Sequence, residues 1–175
     1  SETETALELL ETGISLFPDK EQLHFEYGLL LEKQGRQDEA IVAMEKVLEL
    51  FPDHPEALNY IGYTWADRNM KLDTALKYIQ KAVNLKPDNG FIRDSLGWVY
   101  YRLGRLEEAR IELEKALELE PEDPSIHDHL GDVYTSLNNF DKARKAYDQA
   151  LKLFTDADKK SEVEKKIRGL NGKTP

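Results

Sequence analysis

Asp94-Ser95-Leu96-Gly97-Trp98-Val99-Tyr100-Tyr101-Arg102-Leu103-Gly104 reads as a helix that ends in its own stop signal. Leu96, Gly97 and Tyr100 share one helical face, and Gly104 breaks the run. Ala109, Leu113 and Ala116 then recur at helical spacing and mark a second helix. Pro121 closes it, because proline lacks the amide and its ring clashes with the preceding turn. Residues 90–123 thus form one helical hairpin.

The markers of this hairpin repeat along the chain. Pro18, Pro52, Pro87 and Pro121 are 34, 35 and 34 residues apart. Gly28, Gly62, Gly97 and Gly131 keep the same steps, and Ala6, Ala40, Ala75, Ala109 and Ala143 step by 34, 35, 34 and 34. Three markers in phase establish an internal repeat. The one extra residue falls near Asn69–Leu72, where one helix hands over to the next. Glycine and alanine let helix axes approach, since their spacing follows side-chain size at the crossing. Tyr27, Ile61, Leu96 and Leu130 are the apolar knobs beside each glycine, and Tyr100 and Tyr134 bury a ring with a hydroxyl that needs a partner. Asp53, Asp88 and Asp123 follow the prolines and are expected to cap the next helices.

Leu96-Gly97, Tyr100, Ala109, Leu113, Ala116 and Pro121 resemble the tetratricopeptide repeat family, with Arg93 where a Trp is common. Leu130-Gly131, Tyr134, Ala143, Tyr147 and Ala150 match too, though Thr155 replaces the proline. Tyr27-Gly28, Leu31, Ala40, Met44, Val47 and Pro52 match more loosely, and Ile61-Gly62, Trp65, Ala75, Ile79, Ala82 and Pro87 match once the insertion is allowed. The resemblance implies an all-α fold: a right-handed superhelix, or α-solenoid, of antiparallel helix pairs with a concave side. Trp65 stands in the place of a packing tyrosine and is expected in the core.

Residues 1–18 read as a half repeat, a second helix only. Complete units follow at 21–54, 55–89 (with the insertion), 90–123 and 124–155, then a capping helix at 156–170 and a tail at 171–175, all in one solenoid domain. Ser1-Glu2-Thr3 offers no initiator Met, so the chain is read as a piece of a longer protein. On the last helix Val163, Ile167 and Leu170 form an apolar stripe, while Lys159, Lys160, Lys165, Lys166 and Arg168 are expected on a charged outer face.

Composition narrows the function. The 24 Lys and Arg against 34 Asp and Glu give a net charge of −10, which would repel a nucleic-acid backbone. The absence of cysteine removes disulfides, zinc thiolates and thiol nucleophiles. No apolar run reaches the roughly 20 residues that span a bilayer, so direct membrane insertion by this segment is not expected. Phosphate loops, nucleophile elbows and His-Glu-x-x-His are missing, His127 and His129 face different sides of one helix, and His24 and His127 occupy packing positions. No catalytic residue, metal or cofactor is expected, and the segment is read as a non-enzyme.

In this family the first helix of each pair lines the concavity. Carried over, that implies a partner-binding groove of Phe25, Leu29, Asn59, Tyr63, Phe91, Asp94, Trp98, Tyr101, Arg102, Asp128 and Asp132, with Glu32, Ala66, His129 and Thr135 beside them. Aromatic groups, with Trp98 and Tyr101 foremost, are the expected anchors, and the aspartates an acidic strip. Some relatives clamp a carboxylate with Lys, Asn and Arg; here Phe25, Asn59, Asp94 and Asp128 stand in those places, so an acidic tail is not the expected ligand. The expected partner is a protein or an extended or helical peptide with apolar anchors, basic at one end. Self-association is the rival reading, and a repeat region within a larger enzyme a third. The runs Asn59–Arg68, Asp94–Gly104 and His129–Tyr134 also look like a bacterial subgroup of envelope lipoproteins that tether other proteins, including adaptors of processing proteases. That implies a periplasmic or outer-membrane-associated place with an anchor upstream of Ser1; a cytoplasmic adaptor is the alternative.

Overall fold

A computed structural model describes residues 2–170; the tail expected at 171–175 lies outside them. Among the described residues there are ten helices and no strand. They are α1 (Glu2–Leu16), α2 (Glu21–Lys33), α3 (Gln37–Leu50), α4 (Pro55–Asp67), α5 (Leu72–Leu85), α6 (Gly90–Arg102), α7 (Leu106–Leu119), α8 (Pro124–Ser136), α9 (Phe140–Leu153) and α10 (Ala157–Gly169). The pairs α2/α3, α4/α5, α6/α7 and α8/α9 pack most intimately, and each pair leans on its neighbours, so that the even-numbered helices α2 to α8 share the concave side of the solenoid.

The bend inside each pair follows from residue type. Gly35 (φ 74°), Asn69 (φ 55°), Gly104 (φ 74°) and Asn138 (φ 58°) hold the left-handed turn at one repeat position. Glycine and asparagine tolerate that conformation best. Amides just beyond the turn fold back onto the last carbonyls of the first helix, as from Arg105 N to Tyr100 O at 2.9 Å. The extra residue of the second unit sits here: Lys71 is also left-handed (φ 45°), and its ammonium lies 4.3 Å from the centre of the Trp65 ring.

The close approach inside each pair is as tight as the small residues imply. A methyl group on Gly97 would sit 2.5 Å from Leu113 Cγ and 3.2 Å from the Ala109 carbonyl oxygen. On Gly131 it would run into the ring of Tyr147. Ala40, Ala75, Ala109 and Ala143 have no exposed surface, and Trp65 is buried, as expected of a packing residue.

Two of the three expected caps are corrected. Asp123 does cap α8, accepting from Ser125 N (2.9 Å) and Ile126 N (3.0 Å). At the matching position α4 is capped by His54 Nδ1 and α6 by Asn89 Oδ1, which accepts from Ile92 N at 3.0 Å. The cap lies two residues after the proline, so Asp53 and Asp88 come one residue too early; Asp53 instead pairs with Lys81 at 2.6 Å. A further device ties three of the four first helices, α2, α6 and α8, to the turn before them. His24 Nε2, Arg93 Nε and His127 Nε2 lie 2.8, 2.8 and 2.9 Å from the carbonyl oxygens of Pro18, Pro87 and Pro121.

Candidate functional site: the concave groove

The repeat stride lays matching residues of α2, α4, α6 and α8 in rows across the concave face. One row is Phe25, Asn59, Asp94 and Asp128; the next is Leu29, Tyr63, Trp98 and Asp132. A groove of about 520 Å³ crosses them. Of the expected site residues, Phe25, Leu29, Asn59, Tyr63, Phe91 and Asp94 line it; Trp98, Tyr101, Arg102, Asp128 and Asp132 do not. Tyr60, Ser95 and Ile92 line it without having been expected there. Tyr60 and Ser95 occupy the repeat position of His129, so the stride itself carried that signal.

The N-terminal half is open. Phe91 is 52% exposed at its lip, and Phe25 packs on the His54 ring, with centroids 4.7 Å apart. Burial raises the Tyr63 hydroxyl above the usual tyrosine range, so it stays protonated and can donate. Asn59 Oδ1 is buried and meets no hydrogen-bond donor. Glu32, Glu56, Asp94, Asp123 and His129 line it too, and among the described residues no lysine or arginine does.

The C-terminal half is filled by the chain's own contacts, which corrects four expectations. Trp98 is 8% exposed rather than a surface anchor, because His129 stacks on one side of it (4.3 Å) and Tyr101 packs beside it (5.1 Å). Arg102 rests 5.7 Å from the same ring. Ala66 has no exposed surface and belongs to the core. The acidic strip is not a solvated face: Asp94 lies 2.8 Å from His129 Nδ1, and Asp128 and Asp132 each receive the Lys166 ammonium at 2.8 Å. Lys166 is therefore not on the outer face of α10. With Val163, Ile167 and Leu170 it completes a stripe at helical spacing that turns toward the array.

Burial opposes charge on His129, but the Asp94 carboxylate beside it, aided by Asp128 and Asp132, outweighs burial and raises its pKa above the ordinary 6.5. A raised folded-state pKa means that the protonated form is held by the fold. That stability is whole below about pH 6.5 and is lost as pH rises through the higher folded value. The melting temperature is expected to fall as pH rises above about 6.5, and the slope to flatten in His129→Gln. Equal slopes in both proteins would show that the His129–Asp94 pair is not charged in the fold.

Known proteins share the architecture. Family profiles described as "Tetratricopeptide repeat" match residues 21–54 and 124–157, and 38–90; another, described as "TPR repeat", matches 97–135. The TPR repeat-containing protein PA4667 of Pseudomonas aeruginosa is 35% identical over 106 residues, which is 61% of this chain but 18% of that protein. The human protein O-mannosyl-transferase TMTC1 is 37% identical over 54 residues, 31% of this chain and 6% of its own length. The chain thus spans under one-fifth of either relative. Among solved structures, TTC0263, a thermophilic TPR protein of Thermus thermophilus, superposes with a TM-score of 0.76 at 22% identity, over 95% of this chain and 91% of that one. MamA from Desulfovibrio magneticus RS-1 gives 0.75 at 24%, over 87% and 86%. YrrB, described as a TPR protein with an unusual peptide-binding site, gives 0.70 at 22%, over 94% and 84%. With such profiles together matching residues 21–90 and 97–157 and the same solenoid in the structure, this chain is a tetratricopeptide repeat protein.

Proposed function

We propose that this segment is a non-catalytic adaptor that holds an extended or helical peptide in the N-terminal half of its concave groove. The ligand places apolar side chains between Phe25, Leu29, Tyr63 and Phe91, and a basic residue near Glu32. The observation that carries the reading is the lining itself: apolar and acidic, with no lysine or arginine among the described residues that form it. The setting we infer is assembly or proteolysis at a bacterial envelope, in the periplasm or at the outer membrane, which rests on the subgroup resemblance of residues 59–68 and 94–104.

Calorimetry with paired synthetic peptides tests the groove. A peptide combining Leu or Phe with Lys is expected to bind, and its Lys→Glu counterpart is not. Phe91→Ala, at an exposed position, should weaken binding about tenfold while leaving the melting temperature unchanged. Tight binding of the acidic peptide, or an indifferent Phe91→Ala, would overturn the reading. Fractionating cells that make the full-length protein checks the setting: recovery in the cytosol alone would count against it.

A further inference from the structure

On the convex side, α1 and α3 flank an apolar cleft of about 580 Å³ whose floor is α2. Its walls are Ile14, Val42 and Ala43, and Val42 is 64% exposed. The same cleft recurs between neighbouring second helices, with different contents. Between α3 and α5 the place of Ala43 is taken by Tyr78, whose ring packs 5.5 Å from that of Trp65. Between α5 and α7 it is taken by Glu112, joined to Arg93 at 2.7 Å, and the cleft of about 400 Å³ that remains there is lined by these two and by Gln80 and Asn84, so it is polar. At the first cleft the matching pair is Ala43 and His24, and His24 is turned away onto the Pro18 carbonyl at 2.8 Å. The first cleft is the larger of these two and the one with apolar walls.

The polar groups at its rim are already matched. Tyr27 donates to Glu11 at 2.8 Å, Lys46 pairs with Glu49 at 2.8 Å, and Arg36 pairs with Glu39 at 2.6 Å. The cleft therefore offers apolar surface rather than hydrogen bonds. Charge selects what can lie across it. The described side chains of α1 include Glu8 and Glu11 and no base; on α3 Asp38, Glu39 and Glu49 are paired with Arg68, Arg36 and Lys46, and Glu45 adds a further negative charge. A segment bridging two acidic helices must bring cations at its flanks and apolar groups at its centre.

We propose that the α1–α3 cleft is a second docking site, separate from the concave groove, for an amphipathic basic helix of a partner protein. One or two Leu- or Phe-sized side chains of that helix fill the space left by Ala43, and its Lys or Arg residues face α1 and α3.

Methyl NMR with a synthetic Leu/Lys amphipathic peptide tests this. Saturable shifts are expected at Ile14, Val42 and Ala43. Ala43→Tyr, which supplies the ring that plugs the next cleft, should weaken binding at least about tenfold. Val42→Ser, at an exposed position, should weaken it several-fold and keeps the test open if Ala43→Tyr does not fold. Phe91→Ala on the concave side should leave it unchanged, which separates this site from the groove. Shifts confined to Leu29 and Ile92 would overturn the proposal. So would equal binding of the Leu/Glu peptide, or binding of a small apolar dye that the Leu/Lys peptide does not displace.

Discussion

Gly131→Val is expected to destabilise the protein by about 3 kcal/mol, at the upper end of what overpacking costs. A single added methyl already collides with the Tyr147 ring, and that ring cannot rotate away freely. Tyr147 is 2% exposed, and its hydroxyl is held by Asp132 at 2.7 Å and lies 3.2 Å from Thr135 Oγ1. Valine adds two further carbons, so α8 and α9 must part or the tyrosine must leave its bonds. For a chain of this size the shift in melting temperature is on the order of 10 °C. Gly104→Ala is the control. Gly104 has φ 74° with no neighbour within 4 Å, so only backbone strain of about 1 kcal/mol is expected. Because each pair touches only its neighbours, Gly131→Val should speed amide exchange in α8, α9 and α10 while α2 to α5 stay protected. Uniform loss of protection would mean that the array unfolds as one unit.

This collision shows why so much of the fold is visible in the sequence. A repeat forces each small residue to recur at the stride of the unit, so the glycines, alanines and prolines mark helix, turn and contact face together. Gly35, Asn69, Gly104 and Asn138 add a fourth marker in the same phase, readable from their tolerance of a left-handed turn. Asp53 and Asp88 mislead because the acidic residue nearest the proline is not the one at the cap; aligning Asp123 with His54 and Asn89 gives the right register.

The groove is legible as rows but not as surface. The stride says that Trp98 and Tyr63 share a row; it does not say that His129 lies over Trp98. Exposure at one position depends on side chains one repeat away, across 30 residues or more of sequence. His129 reaches Asp94 and Lys166 reaches Asp128 and Asp132 across such distances. The groove therefore divides into an open apolar half and a half closed by internal ion pairs, a division that no local pattern carries.

Lys166→Met is the sharpest test of that closed half, with an expected loss of about 2–3 kcal/mol near neutral pH. The Asp128 and Asp132 side chains are 18% and 16% exposed, and the variant leaves both without their counter-ion. Burial already lifts the pKa of Asp128 above the ordinary range even with the ammonium in place, and the neighbouring Asp132 charge adds to the lift. Without Lys166 the folded-state value of the Asp128 carboxyl rises further above the unfolded value of about 4. A carboxyl held above its unfolded pKa does no harm while protonated, and it loses stability as pH rises through the folded value. The deficit of Lys166→Met should therefore be small at about pH 3.5 and reach its full size near pH 7. Adding Asp128→Asn should recover part of it at neutral pH, since an amide needs no counter-ion. Urea melts of the wild type and both variants at the two pH values settle the matter. A deficit that is the same at both would mean that Lys166 holds α10 through its aliphatic stem rather than its charge, and that the acidic end of the groove is open to a ligand's cation after all.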